Sequence, residues 1–440
     1  MKVLKFGGTS VGTPENIQHI YEIVNNNTPK IVVLSAMSGS TNSLVKLSQA
    51  ILEQQPQEAQ KIAKALFLKQ LQITAALLTD KKRIENLNKF SETLYKELLF
   101  YIESINDNRF KILAQGERFS TYLVHQFLEE KGIKTALISA LDFMRIDKNN
   151  EPDMFYIRQN LRRLLSESPQ KTVYITQGFI CRNHQGGVAN LDRGGSDYSA
   201  TLIGAALYAE EVQIWTDIDG FHNNDPRYIN NTYPLANLSY NEAAELAYFG
   251  AKILHPQTIL PVKDLKIPVR LKNTQDAQAN GTLITHETTT NGIKAIAAKD
   301  GITAIKIKSE RMLLAYGFLK KVFEIFEKYQ TAIDMITTSE IAISLTIDNP
   351  IHLAEITKEL QKFASVEIEQ EKSIICLVGN EIIHHPDTPQ LFKILNDVNI
   401  RMIAYGGSNN NISLLVNTQD KISTLNLLNN YVFRLEERLV

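Results

Sequence analysis

Lys5 closes an apolar run, Met-Lys-Val-Leu-Lys, and after Phe6 come two glycines, Gly7 and Gly8, then Thr9 and Ser10. A cation beside main chain that carries no side chains is a way to hold phosphate: bare N–H groups approach the anion and the ammonium adds a point charge. The arrangement is not a P-loop, since no G-x-x-x-x-G-K-[ST] occurs in the chain. Further segments carry matching chemistry. Ser35-Ala-Met-Ser-Gly-Ser-Thr41 is a run of hydroxyls opening into a helical pattern, suited to a carboxylate or a phosphate. Gln115-Gly116-Glu117 opens another helix, with an acid in the first turn where the helix dipole favours negative charge. Arg193-Gly-Gly-Ser196-Asp197 packs a cation, two glycines, a hydroxyl and a carboxylate into five residues. Trp215-Thr216-Asp217, Asp225-Pro-Arg227 and Phe249-Gly-Ala-Lys252-Ile-Leu-His-Pro add acids and cations beside turn residues. Each of these alone is also the composition of a surface ion pair.

The elements that must position these groups follow from apolar patterning. Val3 to Phe6, Ile31 to Leu34, Thr135 to Ile138, Val173 to Thr176, Val212 to Trp215 and Val269 to Leu271 are short β-rich runs separated by helical or loop segments. That alternation predicts an α/β domain, a mostly parallel sheet with helices on both faces. A long helical insert separates the second and third strands, and within it Leu87, Phe90, Leu94, Leu98, Tyr101 and Ile105 make one apolar stripe, which is core packing. Beyond about residue 300 the units shorten. Phe323-Glu-Ile-Phe with Met335-Ile336 recurs as Phe392-Lys-Ile-Leu with Met402-Ile403, each followed by a polar turn and an apolar strand, Ile341 to Ile347 and Ile412 to Val416. Two copies of one small α/β unit are expected. The Thr-, Asn- and Gly-rich stretch from Asn280 to Lys299 reads as the approach to them, with a boundary near residue 297.

Composition excludes several classes of function. Forty-seven basic residues against 48 acidic ones leave a net charge of -1, so nucleic acid is not an expected partner. No apolar run approaches the roughly 20 residues of a membrane span, and Met1 leads straight into a strand, with neither n-region nor h-region, so a cytoplasmic protein is expected. Cys181 and Cys376 are too few for a disulfide framework. Cys181-Arg-Asn-His184 has metal-like spacing without a second ligand pair, and His384-His385 sits beside Pro386 in a turn; no metal site is expected at either.

In this order and at these positions, the segments resemble the aspartate kinases of the amino acid kinase fold over essentially the whole chain. Two α+β ferredoxin-like ACT domains would follow the kinase domain. The resemblance implies residues 1–297 for the catalytic domain and 298–440 for the regulatory region. Its ACT domains would span about 309–370 and 371–440, a strand near 302–307 joining the second. It implies that Lys5, Gly7 and Gly8 hold the transferring phosphate, with Asp197 also in the catalytic set. Ser35, Thr41, Glu117, Arg193 and Ser196 would line the aspartate pocket with Asp197, and Thr216, Asp217, Arg227 and Lys252 would hold the nucleotide. His222 stands where the family often has tyrosine, and Asp192 where glycine is common; neither removes a charge the chemistry needs.

The implied reaction is transfer of the γ-phosphate of ATP, with Mg²⁺, to the β-carboxylate of L-aspartate, the first step toward lysine, threonine and methionine. A carboxylate with a pKa near 4 is already ionised at neutral pH, so no general base is required. Arg193 suits the α-carboxylate through its planar fork, and Glu117 or Asp197 suits the α-ammonium. The C-terminal segment is most similar to lysine-inhibited aspartate kinases, which implies lysine as effector at Met312, Asp334, Thr338, Ser339 and Glu340. Ala315 replaces a hydroxyl found in those relatives. A homodimer through the ACT domains is implied, with a tetramer as the alternative, and 440 residues leave no room for a homoserine dehydrogenase half. The competing readings are an inert amino-acid sensor and a kinase of the same fold with another acceptor.

Overall fold

All six apolar runs become strands of one sheet in the computed structural model, which describes residues 1–104, 107–191, 194–250, 254–287, 290–309 and 316–433. The sheet has eight strands in the order Thr135–Ile138, Val173–Gln177, Lys30–Leu34, Lys2–Phe6, Val212–Thr216, Val269–Asn273, Thr282–Thr285, Asn237–Ser239. The first six run parallel. Thr282–Thr285 turns antiparallel to its neighbour Val269–Asn273 and then pairs in parallel with Asn237–Ser239. Lys2–Phe6 lies inside the sheet, four of its five residues buried, as its continuous apolar run requires for a strand covered on both faces.

Helices between the strands cover the sheet. Pro14–Val24 begins with Thr13 as a cap, its hydroxyl accepting from Asn16 N at 3.3 Å, and with proline at the first helical position. Its buried residues Ile17, Ile20 and Val24 join Val32, Leu34, Ile175, Phe119, Leu123 and Phe127 in one core. Gly195–Leu207 is small-residued and buried from Ser199 to Ala206, so its backbone comes close to the strands. The helical insert is Pro56–Leu77 and Lys81–Glu103; Leu87, Leu94 and Leu98 of the predicted stripe are buried, while Ile105 lies outside the described residues.

The chain divides into two compact units, Met1–Phe221 with Ala236–Tyr240 and Leu254–Glu287, and His222–Leu235 with Asn241–Ile253 and Thr288–Val440. The second holds a six-stranded antiparallel sheet ordered Ile336–Thr338, Ala342–Ile347, Gly292–Lys308, Ser365–Asn380, Asn411–Asn417, Met402–Ala404. Two cores lie along it. One gathers Ile305, Ile307, Val322, Phe326, Leu345 and Ile356, and the other Ile375, Leu377, Leu391, Leu414, Leu425 and Leu428. The segment near 302–307, expected to join the second small domain, instead pairs with Ala342–Ile347 and carries Ile305 and Ile307 into the first core. Residues from Gly292 to Lys299 pair with Ile374–Asn380 and serve the second. A register shift between Lys299 and Ile302, with Gly301 at φ +76°, lets one strand serve both cores, and position 297 falls inside it.

Ile175, 0% exposed at the middle of Val173–Gln177, anchors the first core. Ile175→Ala is expected to cost about 2–5 kcal/mol, read as a lower urea midpoint for loss of the parallel sheet. A cost below about 0.5 kcal/mol, the range of surface substitutions, would contradict the burial of this strand on both faces.

Candidate active site

Parallel pairing aims the carboxyl ends of Lys2–Phe6, Lys30–Leu34, Val173–Gln177 and Val212–Thr216 at one edge of the sheet, where open α/β sheets bind ligands. Lys5 is next to last in its strand. Its ammonium sits 2.6 Å from Asp197 Oδ1, the side chains being 11% and 17% exposed. Asp197 is the third residue of Gly195–Leu207, entered through Gly194 at φ +69°. A Cβ at Gly194 would lie 2.7 Å from Thr258 Oγ1, so both the left-handed turn and the close contact call for glycine.

The other segments close a ring around this pair. Ser35 N donates to Phe6 O at 3.2 Å and Ser38 N to Gly8 O at 3.0 Å, laying the hydroxyl-rich turn along the glycine pair. A Cβ on Gly8 would come within 2.9 Å of Ala36 O. Ala36 N in turn donates to Glu117 Oε1 at 3.2 Å. Ser120, one turn after Glu117, donates its hydroxyl to Ser35 O at 2.7 Å and fixes the helix Gln115–Glu130 against that turn. Gly178 follows the strand Val173–Gln177; its N–H donates to Leu34 O at 2.9 Å, and a Cβ there would collide with the Ser196 side chain at 2.3 Å. Ser199 accepts from Phe179 N at 2.8 Å, which returns the ring to the helix bearing Asp197.

Glu117 is a group that this ring leaves incomplete. It is 4% exposed, and its Oε2 is buried without a hydrogen-bond partner. Burial pushes the carboxyl up to about 7, against the pull of the Ala36 N–H and its own N–H. A buried acid short of a partner suits an incoming ammonium, and a lysine beside two glycines suits a phosphate.

The ring thus gathers Lys5, Gly7, Gly8, Ser35, Glu117, Ser196 and Asp197. Thr41, the second residue of Ser40–Leu52, is exposed. Thr216 ends its strand and donates to Asp217 Oδ1 at 3.0 Å, and Asp217 faces solvent. His222 and Arg227 belong to the second unit, where His222 Nδ1 lies 3.1 Å from Thr232 Oγ1 and Arg227 grips both oxygens of Asp225. Asp192, Arg193, Lys252, Met312 and Ala315 lie outside the described residues. Ser120, Gly178 and Ser199 are positioning residues that the sequence did not single out. A hydroxyl three residues beyond Glu117, on the same helix face, was the available signal for Ser120.

Comparison with known proteins agrees with this geometry. Residues 1–273 match the amino acid kinase family and residues 375–431 an ACT domain. Lysine-sensitive aspartokinase 3 of Escherichia coli strain K12 is 31% identical, over 98% of this chain and 99% of that one. The crystal structure of E. coli aspartokinase III in complex with aspartate and ADP (R-state) superposes with a TM-score of 0.84 at 31% identity, covering 98% of this chain and all of that one. The form in complex with lysine and aspartate (T-state) gives 0.82, again at 31% identity, over 98% and 99%. Built on the amino acid kinase fold and similar to aspartokinase III from end to end, the chain belongs to the aspartokinases.

Proposed function

We propose that this chain transfers the γ-phosphoryl group of MgATP to the β-carboxylate of L-aspartate, giving 4-phospho-L-aspartate and ADP. The observation that carries this reading is the Lys5–Asp197 pair at 2.6 Å, held against the Gly7–Gly8 turn within a ring that also contains the half-satisfied Glu117. Phosphoryl transfer depends chiefly on alignment and on neutralising charge at the equatorial oxygens. Lys5 and the glycine N–H groups supply that on the protein side, and Mg²⁺, arriving with ATP as part of the substrate, supplies the rest. Asp197 holds the Lys5 ammonium in place. Because Asp197 is already committed to Lys5, Glu117 Oε2 takes the substrate's α-ammonium, and Arg193 its α-carboxylate. Ser35, Thr41 and Ser196 line the same pocket. Thr216 and Asp217 are assigned to the nucleotide, as are His222, Arg227 and Lys252 by the family pattern.

The regulatory reading extends this. We assign two ACT domains, about 309–370 and 371–440, to the two cores of the second sheet, together with the strand Gly292–Lys308 that serves both, and the catalytic domain to the chain before that strand. We assign lysine, which one E. coli relative binds in its T-state crystal, as the effector. Thr338, Ser339 and Glu340 are exposed beside the edge strand Ile336–Thr338, open to a ligand's polar groups. Ile336 and Ile403, each on an edge strand and 37% and 38% exposed, support a homodimer through this region. A cytoplasmic location accords with two buried cysteines that form no disulfide.

An ADP-release assay with aspartate and with glutamate as acceptor tests the activity directly. Turnover with aspartate alone is expected; none with either would leave an amino-acid sensor, and turnover with glutamate a different kinase. Lys5→Met should lower kcat at least ~100-fold, as loss of one preorganised charge contact does. Near-parental turnover in that variant would return Lys5 to an ordinary surface ion pair. Titration with lysine, threonine and methionine during turnover should show inhibition by lysine, and Glu340→Ala should raise the lysine needed while leaving uninhibited activity close to parental. Unchanged lysine sensitivity in that variant would remove Glu340 from the effector site.

A further inference from the structure

Asp334 lies between the helix Phe318–Lys328 and the edge strand Ile336–Thr338, in a turn where a carboxylate would ordinarily face water. Its side chain is instead 1% exposed. Lys299 Nζ lies 2.9 Å from Asp334 Oδ1 and 2.8 Å from Asp348 Oδ2, so one ammonium is shared between two carboxylates. Tyr248 donates its hydroxyl to the same Asp334 Oδ1 at 2.8 Å, and the Lys299 ammonium stands 4.6 Å from the centre of the Tyr248 ring. Burial and the neighbouring carboxylate push the Tyr248 phenol well above its usual range, so it stays a donor. Burial opposes the charge on Lys299, yet its bonds to Asp348 and Asp334 hold it above the ordinary lysine range. The second oxygen, Asp334 Oδ2, is buried with no hydrogen-bond partner.

Two features of this cluster point to a ligand. The two acids and one ammonium sum to one negative charge, and desolvated charge without full pairing is costly. The orphaned oxygen is also the atom a second cation would reach. A free amino acid carries such a cation in its ammonium group. We propose that Lys299 and Tyr248 are a built-in occupant of Asp334 that an effector amino acid displaces: the effector's ammonium takes the carboxylate, Lys299 withdraws to Asp348, and Tyr248 loses its anchor. After the exchange each of the two carboxylates has an ammonium of its own. This inference rests on the effector site assigned above and deepens it, because it makes effector affinity the outcome of a competition within the chain.

Tyr248 also links the exchange to the rest of the second unit. It is the last residue of Tyr240–Tyr248, and two residues later Gly250, at φ +137°, brings the chain against the strand that carries Lys299; a Cβ there would lie 2.1 Å from Ala298 O. The backbone leaving this helix is therefore fastened at Tyr248 by a bond to Asp334 and at Gly250 by contact beside Lys299. Displacing Tyr248 frees the first fastening.

Lysine binding by calorimetry and lysine inhibition, measured on the full chain, test this with Tyr248→Phe, Lys299→Gln and Asp334→Asn. Tyr248→Phe keeps the ring and removes one hydrogen bond to a charged group, so its Kd for lysine should fall roughly tenfold. Lys299→Gln should lower the Kd as well, and Asp334→Asn should raise it strongly. Activity remaining at saturating lysine should be higher in Tyr248→Phe than in the parent. If both Tyr248→Phe and Lys299→Gln bind lysine within twofold of the parent while Asp334→Asn binds weakly, the competition is overturned and the effector site stands. If Asp334→Asn binds lysine like the parent, the effector site falls too, and the inference with it. Inhibition as complete in Tyr248→Phe as in the parent would likewise overturn the proposal.

Discussion

The placement of one ammonium, that of Lys5, against the carboxylate of Asp197 is the constraint on which the site depends. The two residues are distant in sequence, and both side chains are largely withdrawn from water. An ion pair in such a place is tolerable only with good geometry, and removing either partner leaves a costly buried charge. The geometry comes from the parallel sheet: an interior strand carries Lys5 one residue before its end, and the helix that starts beside it presents Asp197 in its first turn. Glycines at 8, 178 and 194 permit the close approaches that bring the loops together.

A second theme is the incompletely satisfied carboxylate. Glu117 and Asp334 are both buried, and each has one oxygen bonded and one left without a hydrogen-bond partner. Their environments differ in kind. Glu117 is bonded by main-chain N–H groups and responds to burial by holding its proton up to about pH 7. Because the folded carboxyl titrates above its ordinary value of 4.5, its contribution to stability falls as pH rises from about 4.5 to about 7. Asp334 is held by Lys299 and Tyr248, so the effector proposed for it would have to compete. The two proposed roles, a substrate that completes Glu117 and an effector that exchanges partners at Asp334, rest on the same desolvation cost.

Much of this was legible in the sequence. The strand runs ending at Phe6, Leu34 and Trp215 were clear because parallel strands buried on both faces read as unbroken apolar stretches. Lys5, Glu117 and Asp197 stood out because charges beside glycines or at helix starts carry local signatures. Contacts set only by tertiary structure were not legible. Nothing near Gly178 announces that Ser196 occupies the space of its missing side chain, and nothing near Asp334 announces Lys299 or Tyr248. The strand Gly292–Lys308 was read as approach and strand separately, because its Thr-, Asn- and Gly-rich lead-in hides that one continuous strand feeds two cores. The charge state of Glu117 is likewise a property of burial and not of local sequence.

The most direct test of the central claim is the number of protons released when aspartate binds, from calorimetry in buffers of different ionisation enthalpy. With Glu117 near 7 in the free protein and ionised against the substrate's ammonium in the complex, close to one proton should leave at pH 6 and almost none at pH 8.5, with aspartate affinity weakening as pH falls below 7. Binding at pH 6 without proton release would show that the buried acid of this site is not the partner of the amino acid's ammonium.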